Sequence, residues 1–208
     1  MREQREAEHH RLIGGDLCLD FANTLNGHVR PPRHEYLHDY RDFVLWSQHA
    51  GVLSSGASNA LLRQAAEWPS DAEAVFRRAL ALRETIFRIF SALALGEKSA
   101  DADLNWLNRA WKKGQHHAQL VATPIGFTLG WDDEPSLERI PRLIAASAVH
   151  LLTSENIERI RRCAGEHCDW LFIDTSRNHL RRWCSMDECG NRAKMRRRQR
   201  RKRLALSK

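Results

Sequence analysis

Four of the five cysteines fall in two matched pairs, Cys163-x4-Cys168-x15-Cys184-x4-Cys189, and Cys18 stands alone near the start. Two close pairs separated by a loop let two turns each present two sulfurs to one ion. Zn2+ takes four ligands in a tetrahedron, and thiolate is its preferred protein donor. In a reducing compartment such clustering points to metal before disulfides; in an oxidising one the same residues would pair with each other. A spacing of four within each pair lies at the edge of the usual range. The reading is one structural Zn2+ held by Cys163, Cys168, Cys184 and Cys189. His167 and His179 lie near enough in sequence to replace a cysteine, but four thiolates need no substitute. Cys18 reads as a small buried hydrophobe.

A module of this size cannot hold itself together by apolar burial alone, so metal binding would supply most of its folding free energy, roughly 10 kcal/mol or more. Trp170, Phe172 and Trp183 are expected to form its miniature core rather than to stack on bases. Ile157 to Arg161 reads as an entrance strand, Trp170 to Asp174 as a second strand, and Thr175 to Asn178 as a turn. Beyond Cys189 a basic helix is expected, with Asn191 as its cap. Its like charges repel at i,i+4, so in isolation it would fray, whereas on phosphates the repulsion is relieved.

Charge divides the chain in two. The formal net charge is +7, but from Arg159 onward there are 16 Lys and Arg against 5 Asp and Glu, while the first 158 residues carry 17 against 21. A mildly acidic body is thus joined to a very basic end. A polyanion, most simply nucleic acid, is the expected partner of that end. The candidate contacts are Arg177, Arg181 and Arg182 in the loop, and Arg192, Lys194, Arg196, Arg197 and Arg198 in the helix. A basic tail also serves solubility or an anionic membrane surface.

Apolar residues make up 42% and charged residues 28%, an ordinary globular balance. No apolar run approaches about 18 residues, so no membrane span is expected. Met1 to Arg11 is polar and lacks the apolar core of a secretory signal, which makes the cytoplasm the expected compartment.

Before the cysteines, apolar periodicity predicts a mainly helical body with one small β element. Helices are expected over Asp39–Leu53, Ser58–Trp68, Asp71–Leu95, Asp101–Trp111 and Pro135–Thr153, with Pro69 ending the second. His117 to Trp131 alternates about Thr123-Pro124-Ile125-Gly126 and predicts a β-hairpin. Leu17 to Leu25 fits a short strand and a helical stripe equally well. His9-His10 and His116-His117 are expected to be exposed. The organisation is a flexible lead over 1–13, a body over 14–155 and a finger over 156–208.

Asp20, Asn23 and Thr24, with Arg83 nearby, bring a carboxylate, an amide, a hydroxyl and a cation together. They could line an effector pocket, or cap helices and satisfy buried backbone groups. There is no Ser/His/Asp ordering, Gly-rich phosphate loop or metal-hydrolase motif, so the body is not expected to be an enzyme.

With these residues in view, the chain resembles the CGNR zinc-finger family of bacterial transcription regulators. The name-giving motif is Cys189-Gly190-Asn191-Arg192, and Asp174-Thr175-Ser176-Arg177-Asn178 and Arg181-Arg182-Trp183-Cys184-Ser185-Met186 also fit. Leu17-Cys18-Leu19-Asp20-Phe21-Ala22-Asn23-Thr24, Arg83-Glu84-Thr85-Ile86 and Leu104-Asn105 to Asn108 resemble the ABATE domain, described as a stress-induced transcription regulator. The resemblance implies a helical N-terminal domain sensing an unknown small-molecule effector and a C-terminal finger binding DNA, with the four cysteines as zinc ligands.

The expected fold is therefore mainly α with a small β-hairpin (α+β), ending in a small treble-like four-cysteine zinc module and a basic helix. The expected function is DNA-binding regulation. RNA is an alternative partner, in a ribosome-associated module, and an enzyme with the finger as accessory is a third reading. A homodimer is compatible with regulators that read two half-sites.

Overall fold

The structure is a computed structural model and describes residues 10–131 and 136–206. Residues 1–9 of the expected flexible lead lie outside it.

The body is built around one long helix. Seven α-helices occur among the described residues: α1 (Leu17–Ala22), α2 (Tyr40–His49), α3 (Ser55–Glu67), α4 (Pro69–Ala94), α5 (Asp101–Gly114), α6 (Arg139–Leu152) and α7 (Asn191–Leu206). In α4 the buried positions Val75, Phe76, Ala79, Leu82, Ile86, Ile89 and Phe90 recur every three or four residues, which gives one continuous apolar face. Helices α1, α2, α3, α5 and α6 all pack against it. Pro69 does more than stop α3. It occupies the first turn of α4, where its missing N–H costs nothing, and Trp68 joins the two helices.

Leu17 to Ala22 is a helix, so the ambiguous segment resolves away from a strand. Asp16 caps it by accepting from the Cys18 amide at 3.2 Å, and Cys18, Leu19, Phe21 and Ala22 are all buried. Phe21 packs on Phe43 and Trp46 with ring centroids 5.3 and 5.4 Å away. Two expected starts move: α3 begins at Ser55, capped by Ser54, and α6 begins only at Arg139.

Among the described residues, three two-stranded antiparallel sheets complete the fold. Strands β1 (Leu25–Asn26) and β2 (His34–Glu35) pair Leu25 with Glu35. The expected hairpin is present as β3 (Ala118–Thr123) and β4 (Gly126–Trp131), with Thr123 opposite Gly126. Strands β5 (Ile160–Arg162) and β6 (Leu171–Ile173) form the finger hairpin, and β5 starts later than the expected entrance strand because Glu155–Arg159 is a 3-10 turn.

The finger is not a separate bead. Ile160, Leu171 and Ile173 are buried in the same hydrophobic core as Phe21, Ile86 and Phe90. The Ile173 amide donates to the Gly14 carbonyl at 2.8 Å. The end of the expected lead is also tied down. His10 is buried, its ring 4.7 Å from that of Tyr36 and 5.2 Å from that of Trp170, and Ile13 packs on the finger cluster. The expectation that His10 is exposed is therefore corrected: the ring fills the seam between body and finger.

Candidate metal centre and nucleic-acid interface

The first cysteine pair lies in the turn that links β5 to β6. The Cys163 amide donates to the Trp170 carbonyl at 2.9 Å, which continues the ladder one step beyond the strands. Gly165 sits at the bend, where a Cβ would lie 3.1 Å from Cys168 Cβ and 3.3 Å from Cys189 Sγ, so a side chain would crowd the ligands. In the second pair, Cys184 ends a loop and Cys189 lies in a π-helical turn, Met186–Gly190, that runs directly into α7. The Ala164 amide donates to the Arg182 carbonyl at 2.9 Å and joins the two halves.

All four thiols are reduced and buried, and their sulfurs lie within 4.8 Å of one another. Cys184 Sγ is 3.7 Å from both Cys168 Sγ and Cys189 Sγ. A Zn–S bond of about 2.3 Å in a tetrahedron requires an S–S edge of about 3.8 Å; a disulfide requires about 2.05 Å. The geometry fits one Zn2+, and Cys163, Cys168, Cys184 and Cys189 form a structural zinc site with no position left for a substrate. No histidine belongs to it: the His167 ring bonds the Pro31 carbonyl at 3.1 Å and the His179 ring bonds the Asp174 carbonyl at 3.2 Å.

Donors surround the sulfurs. The amides of Gly165 and Cys184 each point at Cys163 Sγ at 3.4 Å, and Arg192 Nη2 approaches Cys189 Sγ at 3.3 Å. Mutual hydrogen bonds among the four thiols lower Cys189 and Cys163 and raise Cys168 and Cys184, and the Arg192 guanidinium adds to the lowering at Cys189. The amide and guanidinium donors at Cys163 and Cys189 favour thiolate, the form that binds metal. Trp170 and Phe172 pack with the four cysteines and Trp183 flanks them, as the sequence predicts.

The arginines of the finger divide by role. Arg181 lies over the Phe172 ring at 4.5 Å and donates to the carbonyls of Trp183 and Cys184, so it braces the second pair from within. Arg192 is committed to Cys189, and Arg196 pairs with Glu166 at 3.1 Å. Arg177 is exposed, and Arg182 stacks over Trp183 at 5.5 Å. In α7, Arg192, Met195, Arg196 and Gln199 line a groove with Asp187 and Glu188 of the finger. At 100° per residue, Lys194, Arg197, Arg198 and Arg201 form the opposite stripe. All four are exposed, with no ion pair among the described residues. Asp174 organises the loop before the second pair. Burial opposes its charge, but Ser176 donates through hydroxyl and amide at 2.6 and 2.9 Å and the Arg181 amide at 2.9 Å, and together they hold the carboxyl below the usual range.

Asp20, Asn23, Thr24 and Arg83 do come together, but not around a cavity. Asn23 donates to the Leu171 carbonyl at 2.9 Å and accepts from the Leu171 amide at 2.8 Å, imitating a neighbouring strand along β6. Arg83 forms a two-pronged bond to Glu35, both distances 2.6 Å, and reaches Thr24 at 3.2 Å. Thr24 in turn donates to the Phe21 carbonyl at 2.7 Å. Asp20 accepts from the Gly14 amide at 2.7 Å. Asn23 ties the body to the finger, while Asp20, Thr24 and Arg83 brace the body itself.

Burial raises the Asp20 carboxyl to about 6, and burial pushes His10 down to about 4. An acid whose folded value is raised contributes stability below pH 3.8 that is lost as pH rises through about 6. His10 acts in the opposite direction: its contribution is full above pH 6.5 and is lost as pH falls through about 4. The two oppose each other over the same window. Relative to an Asp20→Asn variant, the wild-type protein is expected to gain roughly 2 kcal/mol of stability between pH 6 and pH 4. Urea midpoints of the two proteins at both pH values check this, and parallel pH profiles would refute it.

Sequence reasoning missed a second seam. Arg30, in the β1–β2 loop, donates through one guanidinium nitrogen to the carbonyls of Cys163, Gly165 and Cys168 at 2.9, 2.7 and 3.0 Å. Asp169, fully buried, accepts from the amides of Gly27, Val29 and Arg30 at 3.1, 2.7 and 3.3 Å. The only signal in the sequence is a carboxylate wedged between a zinc ligand and a core tryptophan.

The family model described as "Putative stress-induced transcription regulator" (ABATE) matches residues 15–155, and that of the CGNR zinc finger matches residues 159–202. No curated protein matches the chain. With more than half its length matched, the chain belongs to the ABATE family and carries a CGNR zinc finger over residues 159–202.

Proposed function

We propose that the protein is a DNA-binding transcription regulator in which the zinc finger launches α7 onto the phosphate backbone and the helical body responds to a small-molecule effector. The observation that carries the reading is the stripe of Lys194, Arg197, Arg198 and Arg201, which faces away from the finger on a helix anchored at Cys189. Asn191 Nδ2 bonds the Asp187 carbonyl at 3.1 Å and Arg192 holds the ligand sulfur, so the metal site fixes the direction in which the helix leaves. A helix of 16 residues spans about 24 Å, enough to cross a groove and reach phosphates on both sides.

This reading assigns the body a sensing role rather than turnover, and places the protein in the cytoplasm, where thiols stay reduced. Among the described residues no helix is long and apolar enough to cross a membrane. Phosphate contacts of this kind suit structured RNA as well as duplex DNA. Competition between the two for the full-length protein decides the partner, and preference for RNA would displace the DNA reading.

Titration of labelled duplex DNA at several salt concentrations tests the interface. Substituting Lys194, Arg197, Arg198 and Arg201 by Ala together is expected to reduce the slope of log affinity against log salt by about 3 to 4. The metal content should stay at one zinc per chain. An unchanged slope in the quadruple variant would sink the assignment of this stripe.

A further inference from the structure

The β3–β4 hairpin carries apolar side chains that the rest of the fold does not use. None of Leu120, Val121, Ile125, Phe127 and Trp131 belongs to the core of the body or to that of the finger. Antiparallel pairing decides which side chains share a face: residues directly opposite, and those two apart along a strand, point the same way. Ala118 lies opposite Trp131 and Ala122 opposite Phe127, with Leu120 between the two alanines, so these five apolar residues share one face. The other face carries Gln119, Val121, Thr123 and Thr128. Val121 packs there over Gly130, where a Cβ would lie 2.3 Å from a Val121 methyl. The apolar face is the open one. Leu120 and Phe127 are each 77% exposed, and Ile125 at the turn is 99% exposed.

A two-stranded hairpin is marginally stable alone in water, and a contiguous exposed apolar patch marks an interaction surface. Composition narrows the partner. Charged residues make up 28% of the chain, yet Ala118–Trp131 contains none. Such a face has nothing with which to steer or register a charged partner, whereas it is complementary to a second copy of itself. Under a two-fold axis normal to the face, Leu120 of one copy meets Phe127 of the other and the reverse, the isologous arrangement of closed dimers. The area is sufficient. At on the order of 100 to 150 Å² for a large apolar side chain, Leu120, Ile125 and Phe127, with the exposed parts of Ala122 and Trp131, bring roughly 500 Å² to each copy. Pairing would bury roughly 1,000 Å² in all, at the lower end of specific interfaces and suited to a weak, reversible dimer.

We propose that the hairpin face is the contact of a two-fold homodimer, with Leu120, Ala122 and Phe127 of the two copies packed face to face and Ile125 of each at the rim. The Thr123 hydroxyl donates to the Gly126 carbonyl at 3.1 Å and closes the turn that carries Ile125. The hairpin holds no zinc ligand and no residue of the basic stripe, so the association goes beyond the nucleic-acid reading and does not rest on it.

Sedimentation equilibrium of the full-length zinc protein, from about 1 to 200 μM, tests the contact without nucleic acid. The mass is expected to rise with concentration from that of one chain towards that of two. Leu120→Lys with Phe127→Lys sets like charges against each other across the axis and should weaken association at least tenfold. Both side chains are exposed, so the zinc content and the thermal midpoint of the dilute protein should stay as in the wild type. Leu95→Lys, at an exposed apolar residue at the end of α4, should leave association intact. In the wild type, amide exchange in β3 and β4 should slow as concentration rises, while exchange in α7 stays the same. A protein that remains a monomer over the whole range would overturn the proposal. So would association that is indifferent to the hairpin lysines or equally lost in Leu95→Lys, and so would protection that rises with concentration outside the hairpin but not within it.

Discussion

Replacing Cys184 by Ser, or stripping the metal with a chelator, is expected to unfold the finger and to destabilise the helical body with it. Zinc–thiolate coordination supplies roughly 10 kcal/mol or more to small modules of this type, as much as the whole stability margin of many domains. The body follows because the two share one core. Ile160, Leu171 and Ile173 are buried with Phe21, Ile86 and Phe90, and the Ile173 amide caps the Gly14 carbonyl. When the finger opens, those side chains leave a wet apolar scar on α1 and α4. The zinc form should melt in a single cooperative transition. In Cys184→Ser the body's transition should fall by about 10 °C or more, given that each kcal/mol moves a domain of this size by about 2 to 4 °C. Calorimetry with metal analysis measures the midpoint. Hydrogen exchange should show protection lost in α1 as well as around the cysteines. A body that melts at the same temperature with and without zinc would mean that the shared core carries no coupling.

The parts of this architecture that the sequence displays are those set by local spacing. The ligand set follows from two short cysteine intervals, and α4 from an apolar stripe that repeats over its whole length. What local spacing does not display are the partners of polar groups. Asn23 reads as a pocket residue because an amide beside a carboxylate and a hydroxyl looks like a binding site. Its partner, Leu171, is 148 residues away, and only the fold turns that amide into part of a seam. Arg181 and Arg177 look alike in a basic loop, yet one is folded over Phe172 and the other is exposed. The stripe on α7 is implicit in helical periodicity, but which side faces the finger is not.

Substitutions at Arg30 and Asn23 are expected to have the next largest effects, and of different kinds. Arg30→Ala removes one guanidinium nitrogen from three carbonyls of the first zinc turn. Charge-assisted bonds contribute about 1.5 to 3 kcal/mol, and groups that orient metal ligands typically change metal affinity about 10- to 100-fold. Arg30→Ala should therefore lower the urea midpoint and release zinc at least tenfold faster to a chromophoric chelator. Arg30→Lys, which keeps the charge and three donors on a shorter stem, should restore part of the loss. Asn23→Ala instead leaves the Leu171 amide and carbonyl buried and unpaired, at a cost of about 2 to 5 kcal/mol. It touches no carbonyl of the zinc turn. Its midpoint should fall as far as that of Arg30→Ala, or further, while zinc release stays near the wild-type rate. The pair thus separates docking of the finger from preorganisation of its metal site. If Arg30→Ala released zinc no faster than wild type, the Arg30 contacts would be a consequence of zinc binding rather than a support for it. The metal would then organise the β1–β2 loop, not the reverse.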